Sequence, residues 1–168
     1  MAIVLVFLAL MLALMLLGWQ ARKRRQKTLG YPDPVPADPG VEQGRFDGFY
    51  VATTMAGDPL NRVAVRGLGF RSRAVFTVTG GGVILALRGQ AEVFIPVSAL
   101  REVTRATWTI DRVVEEGGLV LISWNLGSTS SSASDASTAV DTYLRLTESS
   151  ALLDAINLIF PVSTGRTA

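Results

Sequence analysis

Leu119-Val120-Leu121-Ile122-Ser123-Trp124-Asn125-Leu126 is the stretch from which the fold can be read. Successive side chains of an extended chain point to opposite faces, so Val120, Ile122, Trp124 and Leu126 share one face while Ser123 and Asn125 help form the other. The spacing predicts a strand with one buried face and places Trp124 in a core. Glu115-Glu116-Gly117-Gly118 reads as the turn before it. Gly127 to Thr138, rich in Ser and without apolar anchors, reads as a mobile loop after it.

Outward from this strand the same grammar repeats. Short runs of β-branched and aromatic residues separated by turn residues predict strands over Phe49–Thr54, Arg73–Thr79, Val83–Leu87, Glu92–Pro96, Arg101–Ile110 and Ala139–Thr147. Gly80-Gly81-Gly82 joins two of them as a tight hairpin. No Lys-Ser/Thr pair follows these glycines, so they do not read as a phosphate loop. After the last strand, Leu152, Leu153, Ile156, Ile159 and Phe160 form one helical stripe, with Ser149 or Ser150 as N-cap and Pro161 as the stop. The pattern predicts a mainly β domain, a partly open seven-stranded barrel or sandwich capped by a C-terminal α-helix.

The other end of the chain obeys different rules. Ala2 through Trp19 carry no charge, and as a helix they would reach about 27 Å, close to one hydrocarbon core. Arg22, Lys23, Arg24, Arg25 and Lys27 come immediately after. A secretory signal places its cations before the apolar run and a small-residue cleavage site after it, and neither is present. The order predicts a single transmembrane helix over residues 1–20, with the N-terminus outside and everything after the cations on the cytoplasmic side. The basic residues also suit contact with acidic lipid. Residues 21–44 combine this basic segment with the Pro-rich run Tyr31-Pro32-Asp33-Pro34-Val35-Pro36 and Asp38-Pro39-Gly40, which reads as a semi-rigid spacer. The domain is expected over 45–162 and a short tail over 163–168.

Five of the 16 Lys and Arg residues lie before residue 28, which leaves 11 cations against 14 Asp and Glu. The basic isoelectric point is therefore a property of the tether, and it gives no argument for nucleic-acid binding. The chain has neither Cys nor His, which removes thiol nucleophiles, disulfides, Cys/His zinc sites and every Ser-His triad. No cofactor and no enzymatic activity are expected.

Seven strands followed by one helix is the order of the pleckstrin-homology (PH) superfold. The blocks Gly48-Phe49-Tyr50-Val51-Ala52-Thr53-Thr54, Gly67-Leu68-Gly69-Phe70-Arg71-Ser72-Arg73-Ala74, Phe94-Ile95-Pro96, Asp111-Arg112-Val113-Val114-Glu115 through Trp124, and Asp141-Thr142 make the resemblance more specific. In these the chain resembles the actinobacterial PH-like-domain membrane proteins, short single-span proteins loosely described as export- or transporter-like. The resemblance implies a bacterial inner membrane and a non-catalytic scaffold.

One segment carries a candidate ligand site. In Arg66-Gly67-Leu68-Gly69-Phe70-Arg71-Ser72-Arg73 two glycines let the backbone turn its N–H groups toward an anion, and Arg66, Arg71 and Arg73 supply forked donors for phosphate. Lipid-binding PH domains use a basic cluster at a comparable early hairpin, although their motif begins with a Lys that this segment lacks. As a dinucleotide fingerprint it fails, because Ser72 stands where a third glycine belongs. Asp111, Glu115 and Glu116 read as solvated charges at a strand end, with Arg112 as a local partner. Trp108 and Ile110 read as core or lid contacts. The expected function is a membrane-anchored module that binds a protein partner or membrane complex. The alternative is a sensor of phosphate or lipid headgroups acting through Arg66–Arg73.

Overall fold

The computed structural model describes residues 2–25, 29–64, 67–106, 118–127 and 137–161. An N-terminal helix, α1 (Ala2–Arg25), precedes the domain, and every described side chain on it, at 3–18 and 20, is exposed. Among the described residues, no helix is long and apolar enough to cross a membrane.

Eight described strands form one continuous antiparallel sheet: β1 (Glu42–Met55), β2 (Asp58–Arg62), β3 (Ser72–Thr79), β4 (Gly82–Leu87), β5 (Val93–Pro96), β6 (Leu100–Ala106), β7 (Leu119–Leu126) and β8 (Thr138–Leu146), in the order β5-β4-β3-β1-β8-β7-β6. A helix, α2 (Ser149–Ile159), comes last. The mainly β domain with a C-terminal helix is thus as the sequence predicts. The strand over Leu119–Leu126 has the predicted bounds, and Val120, Ile122, Trp124 and Leu126 are fully buried.

Four features depart from expectation. The first is β1, which begins at Glu42, well before Phe49, and serves both halves of the sheet: Glu42–Tyr50 pairs with β3 and Gly48–Met55 with β8. Gly48 stands where the two pairings overlap, and a Cβ there would come within 2.6 Å of the Arg145 carbonyl oxygen. A glycine lets the strands close at this point. Val51 has no partner in the β8 register, which passes from Tyr50↔Leu144 to Ala52↔Tyr143. This is a bulge, and it turns Thr53 to the same side as Tyr50.

The second departure is β2, an additional strand that pairs only with the end of β1. Asp58, Pro59 and Asn61 are poor strand formers, so no propensity announced it. The third is the proline-rich segment, which is not a free spacer. Leu29 belongs to the core and Asp33 is buried. The Asp33, Pro39 and Val41 carbonyls accept hydrogen bonds from the N–H groups of Phe94, Gly81 and Gly80, at 2.9 Å each. Prolines cannot donate to a ladder but their neighbours' carbonyls still accept, so this segment straps the edge strand β5 and the β3–β4 turn. The fourth is the start of α2, which neither Ser149 nor Ser150 caps. The residue before the helix is Glu148, whose side chain makes no capping bond.

Among the described residues, a chain of polar groups runs through the core. Trp124 Nε1 donates to Thr142 Oγ1 (2.9 Å), Thr142 and Thr53 hydroxyls are 2.9 Å apart, Thr53 Oγ1 lies 2.9 Å from the Tyr50 hydroxyl, and that hydroxyl lies 2.8 Å from the Leu68 carbonyl oxygen. The direction follows from the two ends, since an indole N–H can only donate and a carbonyl can only accept. Thr142 therefore donates to Thr53, Thr53 to Tyr50, and Tyr50 to Leu68. All five residues are fully buried. Burial pushes the Tyr50 phenol up to about 12, against smaller lowering influences from Thr53 and Arg62. Burial, with the Asp141 charge, raises Tyr143 as well.

The helix α2 packs on β1, β3, β6 and β7. Leu152, Ala155 and Ile156 are buried, Leu153, Ile159 and Phe160 are partly so, and Ala155 approaches Gly44 near the start of β1. The predicted stripe is therefore the face that packs against the sheet. Trp108, Ile110 and the turn at Glu115–Glu116 lie outside the described residues, as does 128–136 of the Ser-rich loop.

This packing sets two expectations. Tyr50 ionises near its ordinary value of about 10 when unfolded but only near 12 when folded, so its contribution is intact below about pH 10 and falls away as pH rises toward 12, by about 3 kcal/mol at most. Tyr50→Phe leaves the Leu68 carbonyl and the Thr53 proton without partners and should cost about 1–3 kcal/mol at neutral pH. Urea melts across pH 7–11 should show the variant losing less stability with alkalinity than the parent, the remainder including Tyr143. On the helix, Ile156→Ala should cost about 2–5 kcal/mol and Ile156→Asp should abolish cooperative melting, whereas Leu158→Asp, at a position 74% exposed, should melt like the parent.

Candidate functional site

The segment read as a ligand loop lies between β2 and β3, and its shape comes from its glycines and from the polar chain in the core. Gly67 adopts φ +82°, a left-handed conformation that side chains with a Cβ resist. Leu68 next to it is fully buried, and its carbonyl receives the Tyr50 proton. Two residues on, Phe70 is 81% exposed. The loop is thus held at its base and presents an aromatic side chain to the outside.

Arg71 and Arg73 converge on Phe49. Their guanidinium carbons lie 5.6 and 5.7 Å from the Phe49 ring centroid, within cation–π range, and Phe49 itself is partly exposed. The register explains the meeting, because Phe49 is the direct cross-strand partner of Arg73 on β3 and of Arg145 on β8. An exposed ring is thereby flanked along the sheet by arginines from both neighbouring strands.

Beside it opens a groove of about 560 Å³, lined by Asp47, Phe49, Arg73, Arg88, Gln90 and Glu92 among others. Two cations and two carboxylates share this groove, so the positive excess sits on its Phe49 rim, where Arg71 and Arg145 are exposed. Forked guanidinium donors around an aromatic ring suit the recognition of a phosphate or carboxylate. The tyrosine with the strongly raised pKa, Tyr50, is sealed in the core, away from any substrate.

Of the residues named from sequence, the structure brings Arg71 and Arg73 together. Arg66 and Lys27 lie outside the described residues, and so do the side chains of Arg22, Lys23, Arg24 and Arg25 on α1. Asp111, Arg112, Glu115 and Glu116 lie outside them too. Phe49, Arg88 and Arg145 escaped the sequence reading. Only Arg145 left a signal, as an outward position in an alternating strand.

Two comparisons bear on what carries this surface. Among curated proteins no match to the chain is found. The profile of the bacterial PH domain-like family matches residues 29–158, from the first core residue, Leu29, into α2. The match includes the proline-rich strap, in keeping with the place of Leu29 in the core. With the strand order, the C-terminal helix and this match in agreement, the chain belongs to the bacterial PH domain-like family.

Proposed function

We propose that the protein is a membrane-anchored interaction module, a PH-like domain held by α1 at the cytoplasmic face of a bacterial inner membrane, where it binds a protein partner or a membrane complex. The observation that carries this reading is the junction itself. A helix of 24 residues, about 36 Å long, has its apolar side chains exposed all round, from Ile3 to Leu17, and leads within a few residues into a PH-like domain. Leu, Val, Phe and Met exposed on every face are costly in water and favoured in lipid. The run of Arg22, Lys23, Arg24, Arg25 and Lys27 supports a cytoplasmic placement of the PH-like domain. A binding role is favoured over catalysis because the chain has no His or Cys and Tyr50, the tyrosine pushed up to about 12, is enclosed in the core.

A reporter active only outside the membrane, fused after Ala168, should remain silent, and neutralising the five cations should scramble that orientation. An active reporter on the unmodified sequence would reverse the topology. Crosslinking and pull-down from native membranes would then identify the partner.

A second reading, that the module senses phosphate or lipid headgroups through the Arg66–Arg73 segment, is favoured by the meeting of Arg71 and Arg73 at Phe49. Here residues 29–162, freed of α1, should sediment with vesicles containing phosphatidylglycerol and not with phosphatidylcholine alone. Replacing Arg71 and Arg73 by Gln should weaken this at least tenfold, while free phosphate should compete only if the headgroup, and not the surface, is recognised.

A further inference from the structure

Leu29 is the first core residue of the domain and Arg25 the last residue of α1. Residues 26–28 are all that join them, so four Cα steps of about 3.8 Å set an upper limit of about 15 Å on the gap. A spacer extending to residue 44 would have let the domain stand far from the bilayer. The strap formed by the proline-rich segment removes that freedom, because it is part of the fold.

The point of entry has a definite place. Gly30 packs on Gly127 so closely that a Cβ on Gly30 would lie 2.9 Å from the Gly127 Cα. Tyr31 and Pro32 share a cleft with Gly67 and with Gln90 to Val93 after the β4–β5 turn. The chain therefore enters beside the Gly67–Arg71 loop. The tip of the β1–β2 hairpin also projects past this end of β1, whereas Glu42, at the other end of β1, pairs with Thr79 beside the Gly80-Gly81 turn. Three large apolar side chains are exposed on the segments that reach this end: Phe70 at 81% in the loop that Gly67 opens, Leu60 at 69% in β2 after the β1–β2 turn, and Tyr31 at 62% in the entry cleft. Arg71, next to Phe70 in the chain, and Arg88, whose N–H bonds the Arg73 carbonyl, are exposed as well.

We propose that this end of the domain docks on the bilayer that α1 crosses, with Phe70 and Leu60 entering the boundary between headgroups and acyl chains and Arg71 and Arg88 meeting lipid phosphates. The inference rests on the reading of α1 as a span, and the short tether is what selects lipid as the occupant. With Arg25 among the headgroups and Leu29 within about 15 Å of it, the side chains around the entry face the membrane before any diffusing partner can. Exposed aromatic and aliphatic groups gain by leaving water at that boundary, and arginines gain by pairing with phosphate. Docking orients the domain, so that α2 and the start of β1 point toward the cytoplasm and remain open to a partner.

The chain has no Cys, so a single nitroxide label can report depth at any chosen position of the full chain in nanodiscs of phosphatidylcholine and phosphatidylglycerol. Labels are placed in turn through Phe70→Cys, Leu60→Cys, Leu158→Cys on α2 and Leu10→Cys in α1, all at exposed positions. Collisions with oxygen, enriched in lipid, and with a water-soluble nickel chelate measure depth. The expected result is a loss of nickel access at 60 and 70 relative to 158, with Leu10→Cys deepest, and a partial return of nickel access at 70 when Arg71→Glu is added. Nickel access at 60 and 70 equal to that at 158, with the label at 10 still deep, overturns the docking and leaves the span intact. A label at 10 that is open to nickel shows that the span reading itself has failed, and the docking falls with it.

Discussion

An indole N–H enclosed in a core must find an acceptor inside the protein, and in this fold that need is passed along four side chains before a backbone carbonyl ends it. The chain from Trp124 through Thr142, Thr53 and Tyr50 to Leu68 joins β7, β8, β1 and the loop before β3. Each member is fully buried, so a missing link would leave a donor or acceptor unpaired where water cannot replace it. The geometry that permits the chain is a backbone irregularity. Tyr50 and Thr53 are three apart, and in a regular strand they would face opposite ways. The bulge at Val51 brings both inside.

The same strand joins the two halves of the sheet. By pairing first with β3 and then with β8, β1 links β5-β4-β3 to β8-β7-β6 within one sheet, and Gly48 allows the close approach that this requires. The α2 stripe then covers the end where β1 begins, and the strap over 29–41 shields the edge of β5. These elements leave one end of the domain with the Gly67–Arg71 loop, the β4–β5 turn and the entry of the chain at Leu29, so the core network, the site loop and the entry segment are physically continuous. The Tyr50 bond to Leu68 is the link through which the interior sets the position of an exterior loop.

The candidate surface shows how such a site divides between sequence and structure. Arg71 and Arg73 were visible as a basic run beside glycines. Their meeting point, Phe49, was not, because it lies on a strand well removed in sequence and only the β1–β3 register places it opposite Arg73. Arg145 arrives from the far end of the domain for the same reason. A one-residue slip in either pairing would carry these side chains to the opposite face of the sheet, so the surface exists only once register is set.

Read alone, the sequence determined the apolar N-terminal run and its cations, the alternation of most strands, the glycine hairpin and the apolar stripe of α2. Each of these is a local pattern in which hydrophobic period and turn chemistry act over a few neighbouring residues. It also excluded the chemistry of His and Cys by simple absence. Only the tertiary structure decided that the proline-rich segment is a strap and no spacer, that Asp58–Arg62 is a strand, that Val51 bulges and that Phe49 gathers arginines from both sides. Those outcomes depend on carbonyls, edges and faces supplied by distant parts of the chain. A proline-rich run with free acceptors binds an edge strand only when the fold brings that edge alongside it.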